Sequence, residues 1–240
     1  MYQFNQTKSP LSIKRSLLIL TNYFFGYLYL YPLIMVWFSE HILHSYEYLM
    51  VLQLIVYIGV FIVTLILARP LFDESGYNGV NNRRDNFAYA VKSIFMMYGC
   101  MIVMNIILNL VTNQLGSQNQ LDVISMTDSF PLITFIMAVL LAPLIEEVVF
   151  RGVIFRKLRD INYPIAQIVS SLAFGFVHVS SSFFSGNYID SLYIFVYAML
   201  GYFLGLNYER SGTIYISIGL HTVINLVSMI MLLLTKLAGY

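Results

Sequence analysis

The chain has 240 residues, of which 59% are hydrophobic, 16% aromatic and only 10% charged. Soluble proteins carry about 25% charged residues, so the 25 charges here could not cover a soluble surface of this size. Abundant aromatics exclude disorder, and a net charge of +1 leaves no basic stripe for nucleic acid. The single cysteine, Cys100, excludes an intramolecular disulfide framework and a Cys-rich metal cluster. The composition points to an all-α, polytopic membrane protein in contact with the lipid bilayer.

A spanning helix needs about 20 mostly apolar residues. Seven segments qualify, at about 17–38, 48–68, 87–111, 130–155, 163–183, 189–208 and 212–235. The first has too long an apolar run for a cleavable signal peptide, and no small-residue cleavage site follows it. Between the spans the charges alternate. Lys8, Lys14 and Arg15 precede the first; Glu40, His41, His44 and Glu47 follow it. Arg69, Arg83, Arg84 and Lys92 flank the next connection, and Asp122 and Asp128 carry the charge of the one after. Arg156, Lys157 and Arg159 follow the fourth span, Asp190 the fifth, and Glu209 with Arg210 the sixth. Lys and Arg mark the cytoplasmic side. The pattern predicts seven helices, with the N-terminus cytoplasmic and the C-terminus outside, in what reads as a bacterial cell membrane. Lys236 is the one basic residue on the outer side. Residues 69–87 are expected to form a polar inner loop and 113–129 the longest outer loop. The chain divides into N-terminal helices at 1–129 and a helical core at 130–240.

Ionisable groups at membrane depth are costly and ask for a function. The fourth span carries Glu146, Glu147 and Arg151, the fifth His178, and the seventh His221 and Asn225. At about 1.5 Å of rise per residue, Glu146 lies roughly 15 Å from Arg156 and His221 roughly 13 Å from Gly212. His178 reaches the same depth when its helix begins one turn below the membrane surface. Glu147 and Arg151 are four apart and can pair on one helix face. Glu146 is turned about 100° from Glu147, toward a cavity. His221 and Asn225 share a face. Pro143, one turn before the glutamates, loosens the backbone.

These are parts for activating water. A carboxylate can act as general base, and imidazole and amide donors can stabilise the charge that develops on an attacked carbonyl. Two histidines and a carboxylate (His178, His221 and Glu146) can instead hold a divalent metal such as Zn²⁺. There is no Gly-x-Ser-x-Gly and no His-Glu-x-x-His. Structural readings stand beside these: Glu147 with Arg151 as an ion pair, and the histidines and Asn225 as interhelical hydrogen-bonding groups. Asn105 and Asn109 read as packing glue, Gly201 and Gly205 as a small-residue packing pair, and the methionines and tyrosines as lipid-facing bulk.

The ordered series Glu146-Glu147-x-x-x-Arg151, Phe174-x-x-x-His178 and His221-x-x-x-Asn225 resembles the CPBP intramembrane proteases (CAAX proteases and bacteriocin-processing enzymes, the Abi family). The resemblance covers about residues 130–236, with no motif position substituted. It implies that Glu146 activates water, supported by Glu147 and Arg151. It further implies that His178 contacts the water or metal, that His221 and Asn225 form the oxyanion site, and that Phe174 walls the substrate pocket. The implied substrate is a membrane-associated peptide: a peptide pheromone, a bacteriocin leader or a CAAX-like tail. Two other classes compete, a proton-coupled transporter and a non-catalytic membrane immunity or scaffold protein.

Overall fold

A computed structural model describes residues 8–78, 83–114 and 116–237. Seven helices are long and apolar enough to cross a membrane. They are α1 (Ile13–Leu43), α2 (Leu49–Asn78), α3 (Arg84–Thr112), α5 (Pro131–Arg159), α6 (Tyr163–Phe184), α7 (Asp190–Ser211) and α8 (Ile214–Lys236). A shorter helix, α4 (Gln118–Ser129), joins α3 to α5. No strand occurs among the described residues. The chain is an all-α integral membrane protein, as its composition requires.

Local sequence sets several boundaries. Ser12 starts α1 by accepting the Arg15 amide, and Asn162 starts α6 by accepting that of Ile165 at 3.0 Å, with Pro164 in the first turn. Gly212, at φ +67°, ends α7 in the left-handed region that a glycine tolerates and redirects the chain into α8.

Two expected loops are helical. The predicted inner loop at 69–87 is largely taken up by α2, which runs on past Pro70 to Asn78, and by the start of α3; residues 79–82 lie outside the described residues. Ends of the membrane-spanning helices project past the apolar stretch because their polar side chains find partners. Glu74 pairs with Arg156 at 2.9 Å, and Asn78 donates to the Gly212 carbonyl at 2.9 Å. The predicted outer loop contains α4. Ser117 caps it by accepting from the Gln120 amide at 3.2 Å, and buried Asp190 accepts from the Gln118 amide at 2.8 Å. The Ser-x-x-Gln start was a legible capping signal.

Helices α5, α6 and α7 form the interior. About half of each apolar stretch is buried there, against 11–17% for α1, α2 and α3, whose large apolar side chains face outward, as Leu33, Ile66 and Leu110 do. Backbone groups inside α-helices are satisfied within the segment, so such faces can meet acyl chains. The tyrosines are not uniformly bulk: Tyr23, Tyr57, Tyr193 and Tyr208 are buried. Asn105 bonds to the Met101 carbonyl of its own helix rather than to a neighbour. Gly201 and Gly205 do serve close packing. A Cβ on Gly205 would lie 2.7 Å from the Gln167 side chain, and one on Gly201 would lie 3.1 Å from Ser171 Cα.

Candidate functional site

The centre of the site is Glu147, which is fully buried and accepts from three side chains. Arg151 Nη1 and His221 Nδ1 each reach Oε1 at 3.0 Å, and Ser217 Oγ reaches Oε2. Arg151 is also fully buried. Its Nη2 donates to the Gly201 carbonyl at 2.9 Å, and its guanidinium lies 4.6 Å over the Phe174 ring. The pair thus ties α5 to α8 at the carboxylate and to α7 at the guanidinium. The i,i+4 pairing expected for Glu147 and Arg151 is present.

Phe174 is buried and packs against both imidazoles, edge-on to His221 at 5.5 Å and tilted against His178 at 4.6 Å. It supports the histidines from behind and does not line the cavity, where a pocket wall was expected. Glu147 and Arg151 lie behind the cavity surface as well.

Four of the expected residues do line one cavity of about 790 Å³: Glu146, His178, His221 and Asn225. Glu146 Oε2 lies 3.8 Å from His221 Nε2. His178 Nδ1 is 2.8 Å from the Phe174 carbonyl, which can only accept, so this nitrogen carries the proton. Its Nε2 is then the lone-pair nitrogen of the neutral ring. The same reasoning applies to His221, whose Nδ1 faces the Glu147 carboxylate. Hydrogen bonds at Nδ1 fix both rings, as they do in carboxylate–histidine pairs elsewhere. A neutral His221 therefore accepts at Nε2 and donates there only once protonated.

The backbone explains Asn225. The helix α5 is π-helical over Ile136–Leu141 and again over Val148–Phe155, on either side of the glutamates. In the first stretch the Ala142 amide donates to the Met137 carbonyl. The next bond in that register would run from residue 143 to Ala138, but Pro143 has no N–H. Asn225 Nδ2 donates to the Ala138 carbonyl instead, at 2.8 Å. One amide hydrogen of Asn225 is thereby committed to α5, and the other remains for the cavity.

Sequence reasoning missed Ser217, although it stands four residues before His221 on the same face of α8. It also missed Tyr197. The Tyr197 ring stacks on His178 at 4.5 Å, and its hydroxyl meets Ser117 Oγ at 2.6 Å and Asn119 Nδ2 at 3.1 Å. Nothing in the spacing along α7 marks this residue, because its role depends on how α4 folds back. Among the described residues, no three His, Cys, Asp or Glu side chains converge closely enough to hold a metal ion.

The fold and the site define a polytopic membrane protein in which Glu146, His178, His221 and Asn225 line one cavity of about 790 Å³. The resemblance to the CPBP proteases is borne out: residues 128–227 match the family described as type II CAAX prenyl endopeptidase Rce1-like. Among curated proteins, the chain is 27% identical over 116 residues to "Putative membrane peptidase YdiL" of Bacillus subtilis, covering 48% of this chain and 43% of that protein. It is 31% identical over 153 residues to an uncharacterized protein of Mycoplasma capricolum, covering 61% of this chain and 43% of that protein. In both cases the match spans less than half the relative's length. No solved structure matches significantly.

Proposed function

We propose that the protein is an intramembrane endopeptidase that hydrolyses a peptide bond of a membrane-associated precursor through a glutamate-activated water. The observation that carries this reading is the exposure of Glu146, His178 and His221 to one cavity, while Glu147 and Arg151 are sealed behind it. A structural ion-pair network alone gives no reason for a second glutamate to face the cavity without a hydrogen-bonded partner of its own.

In this mechanism a water gives one hydrogen to the Glu146 carboxylate and the other to the Nε2 atom of His178 or of His221. Glu146 takes one proton from the water as its oxygen attacks the scissile carbonyl carbon. The developing oxyanion is met by the free amide hydrogen of Asn225, beside the His221 ring that the Glu147 carboxylate holds at Nδ1. The C–N bond then breaks, and Glu146 returns its proton to the leaving amine. Glu147, Arg151, Ser217 and Phe174 act by holding the imidazoles in place. A divalent ion would be held by Glu146, His178 and His221 and would lower the pKa of its bound water, but among the described residues these side chains as placed do not form such a cage.

The substrates that the family resemblance implies are a peptide pheromone, a bacteriocin leader or a CAAX-like tail, each presented at the bilayer. Glu146→Gln tests the reading. Cleavage should fall by at least 10²-fold while expression and thermal stability are retained. A Glu146→Gln protein that cleaves at the wild-type rate would remove Glu146 from the mechanism.

A further inference from the structure

The cavity has a direction. On α5 its lining includes Thr134, Ala138, Ala142 and Glu146, spaced by four and so on one helix face. On α8 it includes His221, Asn225, Ser228, Leu232 and Thr235, spaced by three and four on one face. These two faces run from the glutamate and imidazole to the Pro131 end of α5 and the Lys236 end of α8. The ends lie at one level, because Lys236 pairs with Asp128 at the α4–α5 junction. Asn119, Gln120, Asp122, Val123 and Met126 of α4 line the same cavity at this end.

The opposite end is closed. Phe150, Phe155, Tyr208 and Ile214 are fully buried there, and ion pairs join Arg156 to Glu74 and Arg159 to Glu209 at 2.9 and 2.8 Å. The closed end also carries Lys14, Arg15, Lys157 and Arg210, whereas the segments joining the helices at the open end contain no Lys or Arg among the described residues. Lys and Arg accumulate on the cytoplasmic side of membrane proteins. The open end is therefore the extracytoplasmic one.

We propose that the substrate reaches Glu146 as an extended peptide segment entering from the extracytoplasmic face beneath α4. This deepens the endopeptidase reading and rests on it. The 14 residues from His221 to Thr235 span about 21 Å of helix, which about six residues of extended chain would cover at roughly 3.3 Å each. An extended chain in such a cavity needs partners for its amides and carbonyls. The lining supplies them from Gln53, Asn119, Gln120, Thr134 and Ser228, with Tyr57, Tyr98 and Tyr197 between them. It contains no Lys or Arg, and Asp122 stands at the mouth. A segment that is neutral or basic is the complement of this wall.

Thiol accessibility in intact cells tests the route without depending on cleavage. In a Cys100→Ser background, cysteines are placed singly at Gln120 (mouth), Ser228 (three residues beyond Asn225) and Ile161 (the exposed turn between α5 and α6 at the closed end). A small membrane-impermeant methanethiosulfonate added outside should modify Q120C and S228C, and I161C only after permeabilisation. Modification of S228C only after permeabilisation, or of Q120C but never S228C, would overturn the proposal. Because the readout is labelling, this pattern in the three variants together with a wild-type protein that cleaves nothing would sink the endopeptidase reading and leave the outward-facing channel standing.

Discussion

The Glu147–Arg151 pair lends itself to a quantitative test. Both side chains are fully buried, and removing one partner of a buried pair typically costs 3–5 kcal/mol because the other charge is left uncompensated. Arg151→Met leaves Glu147 with Ser217 and His221 as donors, while Glu147→Gln leaves the guanidinium with the Gly201 carbonyl and a single weaker acceptor. Each single variant should lose about 3 kcal/mol or more. With roughly 2–4 °C of Tm per kcal/mol for chains of 150–250 residues, the midpoint should fall by about 6 °C or more. The double variant Glu147→Gln/Arg151→Met removes both charges and should be more stable than the sum of the singles predicts, with a coupling of at least about 1 kcal/mol. The assay is thermal unfolding of the four proteins in one detergent, followed by intrinsic fluorescence. Additive singles, or losses below about 1 kcal/mol, would mean that the pair is not buried and does not tie α5 to α7 and α8.

Three further outcomes follow from the packing and the site. A Cβ on Gly175 would lie 2.7 Å from the Ile194 carbonyl oxygen and 2.9 Å from the Ala198 amide, both rigid backbone; Gly175→Ala should therefore cost about 1–3 kcal/mol, and an unchanged unfolding midpoint would contradict the close α6–α7 approach. Tyr197→Leu, which removes the ring stacked on His178, should lower kcat about tenfold with KM little changed, while Tyr197→Phe keeps the stack and most of the rate; equal rates in both variants would deny Tyr197 a part in positioning His178. Exhaustive removal of divalent metals should leave cleavage intact, since the candidate ligands do not converge; loss of activity that zinc restores would contradict the glutamate-only mechanism.

The periodicity and length of the apolar runs made the seven spans legible, and three short motifs named most of the site. Glu146, His178, His221 and Asn225 could be placed at similar depths from the α-helical rise, although the π-helical stretch Val148–Phe155 shortens the distance from Glu146 to Arg156, and polar groups at similar depths on neighbouring helices have few places to go. The hidden parts depend on tertiary contact. Tyr197 gains its place through Ser117 and Asn119, and α4 becomes part of the cavity only because Asp190 pins its first turn. Phe174 was expected to be a pocket wall from the family resemblance alone, and its spacing from His178 does not tell which side of the imidazole it occupies. Asn225 was read for the hydrogen it offers a substrate, whereas the pairing of a π-helical register with Pro143 commits its other hydrogen to Ala138. Polar composition suggested loops at 69–87 and 113–129, but capping and ion pairing let helices extend through most of both.

The most direct measurement is cleavage by the purified protein in detergent, with no ion gradient, of membrane-associated peptides in H₂¹⁸O, read by mass spectrometry. Hydrolysis by an activated water predicts a single ¹⁸O in each newly formed C-terminal carboxyl group with the wild-type protein, and no products with Glu146→Gln. Intact peptides throughout, or the same labelled products from both proteins, would contradict it.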